Sequence, residues 1–292
     1  MRVRAVRKEQ AGAIRTADWV DRTRDSFAEG DTLWVPVIAS EPCDREIPET
    51  KRYRGRGYYM VGDIAVLHGE EPTSADIDAI VGFRHPRGIL WIKSLQDVTR
   101  TPETQRVWGT GGEVCHKEAG FSYILNPEKV MFSMGNREEK ARIAAMVRKS
   151  PQPERIADMF AGIGYFSIPL AGASASVHAM EINPVAFGYL VRSIDANRLS
   201  GRIVPSLGDC RQLLSGTYDR IIMGHFDAVT MLSDALRHAA AGSVIHVHSI
   251  GPAEEQVRAQ VEGAGFSATI HVHKVKKYRP HAWHMVQDVY LA

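Results

Sequence analysis

The sequence predicts an α/β fold, in which a mostly parallel, Rossmann-like sheet ends in an antiparallel hairpin and a smaller α+β region precedes it. From about residue 137 onward, short apolar runs alternate with helix-like stretches, the pattern of a parallel sheet covered by helices. The last two apolar runs are joined only by KKYRPHAWH, which is too short for a helix, so the final strand should run antiparallel. We place the boundary after residue 105, with an N-terminal region at 1–105 and a Rossmann-like domain at 106–292.

Composition is that of a globular protein with a packed core. Of the 292 residues, 44% are hydrophobic and 24% are charged, which excludes collagen-like and wholly disordered chains. No stretch approaches the ~18 apolar residues of a membrane span, and the charged start MRVRAVRKEQ does not resemble a secretory signal. Cys43, Cys115 and Cys210 form no C-x-x-C pair, which argues against a zinc ribbon or a disulfide scaffold. We therefore expect a cytoplasmic protein that makes no membrane contact.

The N-terminal region contains four short apolar runs punctuated by glycine and proline. They span residues 32–38, 58–67, 75–81 and 88–92. Gly62 and Asp63 predict a turn, and a linker is expected near residues 97–103. Residues 51–56, KRYRGR, place four cations around a tyrosine, a composition suited to phosphate binding and base stacking. We expect this region to be an accessory region that binds RNA.

The C-terminal domain has a regular order of predicted elements. Residues 113–132 predict two strands around a turn at 118–120, and a helix follows at 137–149 with Ile143 and Val147 on one face. The predicted strands then lie at 155–160, 176–182, 203–207, 218–223, 243–248, 266–275 and 285–291. The predicted helices between them lie at 185–199, 230–240 and 253–263.

The motif DMFAGIGYFSIPLA follows the first strand of that domain. The strand ends around Asp158 and Phe160. Gly162 and Gly164 come next, before a helix. Ligands of an open parallel sheet bind beyond the carboxyl ends of its strands, and glycine lets the backbone approach them closely. Ser167 stands in the third position of a dinucleotide fingerprint, G-x-G-x-x-G, and so disfavours a nicotinamide cofactor.

Acidic residues follow the next two strands. Glu181 ends the second strand in AMEINP, where a carboxylate can accept hydrogen bonds from both hydroxyls of a ribose. Asp209 follows the third strand with Cys210 beside it, where a carboxylate can accept from an adenine amino group. Three such elements in order, at successive strand ends, are far more specific than a lone pair of glycines. They predict binding of S-adenosylmethionine (SAM).

Six segments carry a resemblance to a known family. YYMVGDIAVL, VMFSMGNREEKARI, DMFAGIGYFSIPLA, AMEINP, DRIIMGH and VKKYRPHAWHMVQDVYL occur in this order from Tyr58 to the C-terminus. They resemble the archaeal and eukaryotic enzymes that modify the purine 3′ of the tRNA anticodon and have a class I SAM-dependent methyltransferase fold. One branch of that group methylates N1 of guanine. The other, in wybutosine synthesis, transfers the 3-amino-3-carboxypropyl group of SAM to the tricyclic base of phenylalanine tRNA.

Two stretches distinguish the branches. The methyltransferases typically carry P-R-L after the F-S of the first motif and N-L-P or N-P-P after the fourth strand. This chain has Met-Gly-Asn at 134–136 and Met-Gly-His at 223–225, which resemble the aminocarboxypropyl branch. The resemblance therefore implies a tRNA 4-demethylwyosine aminocarboxypropyltransferase that releases 5′-methylthioadenosine. A SAM-dependent guanine-N1 methyltransferase acting at the same position is the alternative.

The resemblance also implies site residues. With the motifs above, the expected SAM-binding residues are Ser133, Lys140, Asp158, Phe160, Gly162, Gly164, Glu181, Asp209, Cys210 and Gly224. Lys140 is expected to pair with the SAM carboxylate, and Arg142 is a further candidate. For the proton lost from the base carbon, His225 and Glu139 are the candidate bases, although positioning and the sulfonium leaving group can suffice.

Four histidines are candidate metal ligands because of their spacing. The alternating pairs are His246 with His248 and His271 with His273. Residues i and i+2 of a strand share a face, but no cluster of carboxylates or cysteines accompanies either pair, so no metal is expected. Trp283, flanked by His281 and His284, suits either RNA contact or closure of the core edge.

The expected partner is tRNA, bound by a single copy of the chain. Residues 274–279, KVKKYR, would join the cluster at 51–56 in a salt-dependent phosphate footprint. Residues 1–57 do not clearly match the N-terminal module of the archaeal methyltransferases. Two other classes were considered. The intact SAM motifs disfavour a catalytically inactive RNA-binding subunit, and Ser167 and the terminal hairpin disfavour a nicotinamide oxidoreductase.

Overall fold

The structure is a computed structural model that describes residues 1–14, 16–48, 53–97, 100–279 and 281–292. Its internal contacts divide the chain into two compact units, Met1–Arg54 and Gly55–Ala292. Within the described ranges, no helix is both long and apolar enough to cross a membrane.

The first unit is a small antiparallel sheet in the order β2-β3-β1-β4. Its elements are β1 (Arg2–Arg7), α1 (Ala11–Ile14), β2 (Phe27–Glu29), β3 (Thr32–Pro36) and β4 (Arg45–Glu46). Val3 on β1 and Val35 on β3 are buried, as are Ile14 and Val37. These few apolar side chains make a small core, and the apolar run predicted at 32–38 supplies two of them.

The second unit begins with a four-stranded sheet in the order β5-β6-β7-β8. Its elements are β5 (Tyr59–Val61), β6 (Ile64–His68), α2 (Ser74–Arg84), β7 (Gly88–Gln96) and β8 (Thr101–Gly109). β6 and β7 run parallel, and α2 makes the crossover between them. The helix starts with a capping box, in which the Asp76 amide donates to Thr73 Oγ1 at 3.2 Å and the Thr73 amide donates to Asp76 Oδ2 at 2.9 Å.

This sheet bears on several predictions about the N-terminal region. The turn predicted at Gly62 and Asp63 is confirmed, because it joins β5 to β6 in a hairpin, and Gly62 has a φ of +58°, which suits glycine. The run at 75–81 lies in α2, and the linker expected at 97–103 is wrong from Thr101 on, because β8 begins there and pairs along β7. The boundary predicted after residue 105 therefore falls inside a strand. Two residues of the basic cluster at 51–56, Lys51 and Arg52, lie outside the described residues.

A two-stranded hairpin, β9 (Val114–Glu118) and β10 (Phe121–Leu125), leads into the main domain. Its two-residue turn is Ala119 and Gly120, both at positive φ (+50° and +85°), as a tight hairpin turn requires. This confirms the two strands and the turn predicted within 113–132.

The main sheet has seven strands in the order β13-β12-β11-β14-β15-β17-β16. They are β11 (Arg155–Asp158), β12 (Ser176–Glu181), β13 (Ile203–Leu207), β14 (Arg220–Met223), β15 (Val244–Ile250), β16 (Ala268–Arg279) and β17 (Ala282–Leu291). The first five in the order are parallel, and β17 is antiparallel to both β15 and β16. The mostly parallel sheet and its terminal antiparallel hairpin are confirmed.

Six helices accompany this sheet. They are α3 (Arg137–Arg148), α4 (Ser167–Gly172), α5 (Pro184–Ala196), α6 (Cys210–Leu213), α7 (Leu232–Leu236) and α8 (Glu254–Gly263). Helix α3 matches its predicted span and buries Ile143 and Val147. The helix expected at 230–240 is shorter than predicted, because a 3₁₀ turn at Ala228–Met231 precedes it.

A set of buried charged groups, here called the charge network, joins α3 to β14, β15 and β17. Arg220 donates to Glu154 at 2.6 Å and to Nε2 of His246 at 2.7 Å. Nδ1 of His246 donates in turn to Asp288 at 2.6 Å, and Arg142 donates to the other oxygen of Asp288, also at 2.6 Å. Every charge in the network therefore has an opposite or hydrogen-bonded partner. Its members are Glu154, Arg220, His246, Asp288, Arg142 and Glu139.

Candidate active site at the carboxyl ends of the strands

The parallel strands bring the predicted cofactor residues to one edge of the sheet. Asp158 ends β11 and Glu181 ends β12. Asp209 comes two residues after β13, and Gly224 comes directly after β14. Carboxyl ends of neighbouring parallel strands meet at the same edge, which is where open α/β sheets bind ligands.

Asp158 holds the loop that follows β11. The side chain is fully buried, and its Oδ2 accepts hydrogen bonds from the amide of Ser167 at 3.1 Å and from its hydroxyl at 2.6 Å. Burial raises the pKa of Asp158 to about 6. Ser167 begins α4, so the residue that breaks the dinucleotide fingerprint has a role that the sequence analysis missed. It ties the end of β11 to the start of the helix.

Gly162 and Gly164 lie in that loop at positive φ, +58° and +99°. A Cβ added at Gly162 would stand 2.5 Å from the ring of Tyr165, and one at Gly164 would stand 2.7 Å from Cδ1 of Ile168. Both positions therefore require glycine for conformation and for space. The loop therefore has no side chain at these two positions, as the motif predicted.

Glu181 joins the loop to the second strand. Its Oε2 accepts from the amide of Gly162 at 2.7 Å, and its Oε1 accepts from the amide of Asn183 at 2.7 Å. Burial raises the pKa of Glu181, and hydrogen bonds from backbone amides offset that shift only in part. The amide of Gly208 donates to the backbone oxygen of Glu181 at 2.9 Å, which holds the Asp209 loop beside it.

Asp209 and Cys210 have different environments. Asp209 accepts from the amide of Arg211 at 2.9 Å, and its carboxylate pairs with the guanidinium of the same residue at 2.5 Å. Hydrogen bonds from Arg211 hold the pKa of Asp209 below its ordinary value. An adenine amino group at this position would share the carboxylate with Arg211. Burial raises the pKa of Cys210 to about 11, so its thiol stays protonated and is not nucleophilic at neutral pH.

The segment before α3 lies against the glycine loop. The hydroxyl of Tyr165 donates to the backbone oxygen of Met131, and the ring of Tyr165 lies 5.7 Å from that of Phe132. Ser133 follows directly and is half-buried. The structure therefore places the predicted SAM residue Ser133 next to a segment that contacts the glycine loop.

Lys140 is buried, with 3% of its surface exposed. Its ammonium forms an ion pair with Glu118 and lies 5.3 to 5.8 Å from the ring centres of Tyr123, Phe132 and Tyr165. Burial lowers the pKa of Lys140, and the bond to Glu118 opposes that shift. The sequence analysis expected this lysine to pair with the SAM carboxylate. The structure gives it an internal carboxylate from the β9–β10 hairpin, a partner that no sequence motif indicated.

Two weaker candidates, Arg142 and Glu139, are bonded to each other at 2.7 Å. Arg142 also bonds Asp288, so both residues belong to the charge network. Arg142 lies two positions beyond Lys140, on another side of the helix. Because it faces the charge network there, it does not serve as a second partner for a ligand carboxylate.

His225 stacks on Phe160, with ring centres 5.4 Å apart and an interplanar angle of 30°. Its Nδ1 accepts from the amide of Asp227 at 3.2 Å, and burial lowers its pKa. The neutral ring then carries its proton on Nε2 and presents a donor, so this geometry favours a hydrogen-bonding role over that of a general base. Gly224 lies beside Phe166, whose ring is 3.4 Å from the position of an added Cβ.

The paired histidines take internal partners. His246 belongs to the charge network, Nδ1 of His248 lies 2.9 Å from Nε2 of His284, and His273 lies 3.1 Å from Asp288. Burial lowers the pKa of His248 well below its usual range. No cluster of three potential metal ligands occurs among the described residues.

The comparisons with known proteins agree with this architecture. Residues 114–276 match the family described as the TRM5/TYW2 methyltransferase domain. A Methanocaldococcus jannaschii protein named tRNA(Phe) (4-demethylwyosine(37)-C(7)) aminocarboxypropyltransferase is 34% identical over 247 residues, covering 80% of this chain and 97% of that protein.

Two solved structures are similar over most of the chain. TYW2 of M. jannaschii, in complex with AdoMet, is 29% identical, with a TM-score of 0.64 over 80% of this chain and 99% of that chain. Trm5b of Pyrococcus abyssi is 26% identical, with a TM-score of 0.75 over 99% of both chains. The likeness to Trm5b thus extends into residues 1–57, which the sequence analysis had expected not to match. A family match over more than half of the chain and a 34%-identical relative along most of it establish that this chain belongs to the TRM5/TYW2 methyltransferase family.

Proposed function

We propose that this chain transfers the 3-amino-3-carboxypropyl group of SAM to 4-demethylwyosine at position 37 of phenylalanine tRNA. The observation that carries the proposal is the M. jannaschii relative of that name, which is matched along 97% of its length. The Met-Gly-His stretch after β14 and the Met-Gly-Asn stretch before α3 support the same branch.

The carboxyl-end site suits the adenosine half of SAM. The loop that contains Gly162 and Gly164 lies at the carboxyl end of β11, and the half-buried carboxylate of Glu181, at the end of β12, can accept from ribose hydroxyls. Asp209 is placed to accept from an adenine amino group if Arg211 shares it. The proposed binding set also includes Ser133, Lys140, Asp158, Phe160, Cys210 and Gly224.

The transfer forms a carbon–carbon bond and breaks a carbon–sulfur bond and a carbon–hydrogen bond. C7 of the base attacks Cγ of the methionine chain, and the bond between Cγ and sulfur breaks. The sulfur keeps the bonding pair and leaves in 5′-methylthioadenosine, while the proton on C7 passes to solvent or to a base. The sulfonium activates three carbons alike, so the enzyme selects Cγ by placing it in line between C7 and sulfur.

A surface for tRNA is supplied by the β16–β17 hairpin. Tyr278 and Trp283 are 45% and 40% exposed, and the ammonium of Lys274 lies 5.5 Å from the ring of Trp283. Lys277 and Arg279 are exposed on the same strand. Cations beside exposed rings suit phosphates and unstacked bases. We further propose that a single copy acts in the cytoplasm without a metal.

The experiment combines purified protein, SAM and phenylalanine tRNA carrying 4-demethylwyosine, with nucleosides and small products read by mass spectrometry. Formation of 5′-methylthioadenosine, with a nucleoside heavier by one aminocarboxypropyl unit, is the expected result. The matched control replaces the modified tRNA with one that carries guanosine at position 37.

The alternative is guanine-N1 methylation at the same position. The similarity to Trm5b over 99% of both chains is the observation in its favour. S-adenosylhomocysteine together with 1-methylguanosine on the unmodified tRNA would establish that alternative and reject the aminocarboxypropyl proposal.

A further inference from the structure

The Met-Gly-Asn stretch before α3 packs against a lysine that lies near the C-terminus in sequence. A Cβ added at Gly135 would stand 2.5 Å from Cδ of Lys276, which lies on β16. Gly135 does not have positive φ, so its backbone conformation does not require glycine. The Lys276 side chain therefore packs directly over the backbone of Gly135.

Lys276 differs from Lys140 in the charges around it, since the described residues give it no counter-ion. It is half-buried, and the charged groups that act on it are Arg100 and Lys140, both cations. Within the described part of the chain, no carboxylate forms an ion pair with it. A partly desolvated ammonium among cations is costly unless an anion neutralises it. The position therefore suits an anionic ligand group.

Asn136 supplies the complementary feature. It occupies the N-cap position of α3, where asparagine usually accepts a hydrogen bond from the helix, but its side chain makes no capping bond. Its Oδ1 is buried, and none of the described donors reaches it. The amide oxygen is an unused acceptor in the residue next to Gly135.

The surroundings of Lys276 connect both branch-specific stretches. On one side, Gly135 follows Ser133 in the segment that contacts the glycine loop. On the other, Lys276 acts electrostatically on His284, whose ring lies 5.0 Å from that of Phe226, the residue after His225. The lysine thus lies against Gly135 of the first stretch and acts on a histidine that packs beside the residue following the second stretch.

We propose that Lys276 and Asn136 bind the α-amino-acid end of SAM, with the Lys276 ammonium on the carboxylate and Asn136 Oδ1 accepting from the α-ammonium. This inference rests on the proposed function, because it assigns the part of SAM that the reaction transfers. Lys140 is neutralised by Glu118, which leaves Lys276 as the cation for the carboxylate. Binding both the carboxylate and the α-ammonium fixes the orientation of the carbon atoms that join them to the sulfur. That orientation decides whether Cγ or the methyl group faces the base.

The test measures binding of three ligands by calorimetry. SAM has the carboxylate and the α-ammonium, decarboxylated SAM has only the ammonium, and 5′-methylthioadenosine has neither. The variants are Lys276→Met, which keeps the length of the side chain, Asn136→Ala, and Asn136→Asp, which keeps an acceptor. Lys149→Met, at an exposed lysine after α3, is the matched control. Thermal unfolding of each variant reports whether the fold is intact.

Lys276→Met should weaken SAM about 10-fold to 100-fold, the range for a hydrogen bond to a charged group, and leave the other two ligands unchanged. Asn136→Ala should weaken SAM and decarboxylated SAM by about tenfold and spare 5′-methylthioadenosine. Asn136→Asp should retain the affinities for SAM and for decarboxylated SAM. Lys149→Met should alter none of the three affinities.

Three results would overturn the inference. They are an unchanged SAM affinity in Lys276→Met, equal losses for SAM and 5′-methylthioadenosine, and a loss confined to tRNA binding, which would make Lys276 a phosphate contact. Each can occur while the wild-type enzyme still forms the aminocarboxypropyl product. If instead the wild-type protein forms methylated guanosine, the proposed function has failed, and the ligand series still reports whether Lys276 holds the carboxylate.

Discussion

Buried charge is arranged in opposite ways in two regions of this molecule. In the charge network, Asp288 bonds both His246 and Arg142, and Arg220 bonds Glu154. At the carboxyl ends of the strands, the described residues give Glu181 amide partners and Asp158 amide and hydroxyl partners, with no ion pair to either carboxylate.

The pKa values follow the two arrangements. Burial opposes ionisation of Asp288, but the hydrogen bonds from His246 and Arg142 more than offset it and hold its pKa below the ordinary value. Burial raises the pKa of Asp158 and of Glu181, and the hydrogen bonds from amide and hydroxyl groups offset that shift only in part. The comparison teaches that paired buried charges here stabilise the fold, whereas unpaired ones mark where a charged or polar ligand is expected.

Asp288→Asn should have the largest effect, because it removes the anion that accepts hydrogen bonds from the guanidinium of Arg142 and from the neutral ring of His246. We expect a loss of about 3–5 kcal/mol in the free energy of unfolding, measured by urea denaturation. Glu254→Gln breaks only an exposed pair with Arg258 and should cause no measurable loss. Equal stabilities of the two variants would show that the network is not a structural element.

Glu181→Gln should weaken ligand binding and also lower stability. Both oxygens of the Glu181 carboxylate accept from backbone amides, those of Gly162 and Asn183, and a carboxamide has a single oxygen, so one amide loses its acceptor. The remaining oxygen is neutral and accepts more weakly from ribose hydroxyls. We expect about a 10-fold to 100-fold weaker affinity for SAM and for 5′-methylthioadenosine alike, measured by calorimetry. Glu262→Gln, at an exposed carboxylate of α8, is the matched control. A loss of affinity for SAM alone would show that Glu181 does not contact the adenosine half of the ligand.

The pH dependence of binding sharpens the comparison further. The folded pKa of Asp158 is about 6, above the ordinary 3.8, so the native protein holds a proton that the unfolded chain releases. Its contribution to stability therefore falls as pH rises from about 4 to above 6. SAM carries a net positive charge and should prefer the ionised carboxylate. Its affinity relative to 5′-methylthioadenosine should rise up to about tenfold between pH 5 and pH 7, following the ionised fraction.

That ratio is measured at constant ionic strength, so that screening does not contribute. In Asp158→Asn the rise should disappear, provided that thermal unfolding shows a folded protein. A rise that persists in this variant would assign the titration to another group, with Glu181 as the first candidate because burial raises its pKa as well.

Lys274→Met should have the smallest effect, since one exposed phosphate contact contributes little alone. We expect a few-fold weaker tRNA binding and a salt dependence of log K reduced by about one, with SAM affinity unchanged. Arg258→Met, on α8, provides an exposed control outside the hairpin. An unchanged salt slope would place the tRNA surface away from β16.

The sequence predicted the main sheet well, because each strand is a compact apolar run and glycine or an acid marks its end. β13 matches its predicted bounds, and α3 differs by one residue. The N-terminal region was predicted less well. β8, with its mostly exposed TPETQRVWG, has no alternating apolar pattern, and its pairing with β7 depends on tertiary context that no local signal carries.

The same limit applies to the candidate site. Asp158, Gly162 and Glu181 were predictable, because each belongs to a short contiguous motif at the end of a predicted strand. The partner of Lys140 was not, since Glu118 lies 22 positions earlier on a hairpin. The approach of Lys276 to Gly135 spans almost half of the chain, so only the fold could bring them together.

The position of β16 has a consequence for the handling of this protein. It is the last strand in the seven-stranded order, it is twelve residues long, and one of its sides is an open row of backbone donors and acceptors. Lysines on such an edge oppose strand addition by a second copy, because their charges repel and the ammonium groups cannot be desolvated cheaply. Stripping several cations from this strand to abolish RNA binding is therefore expected to promote aggregation, so they are best changed one at a time.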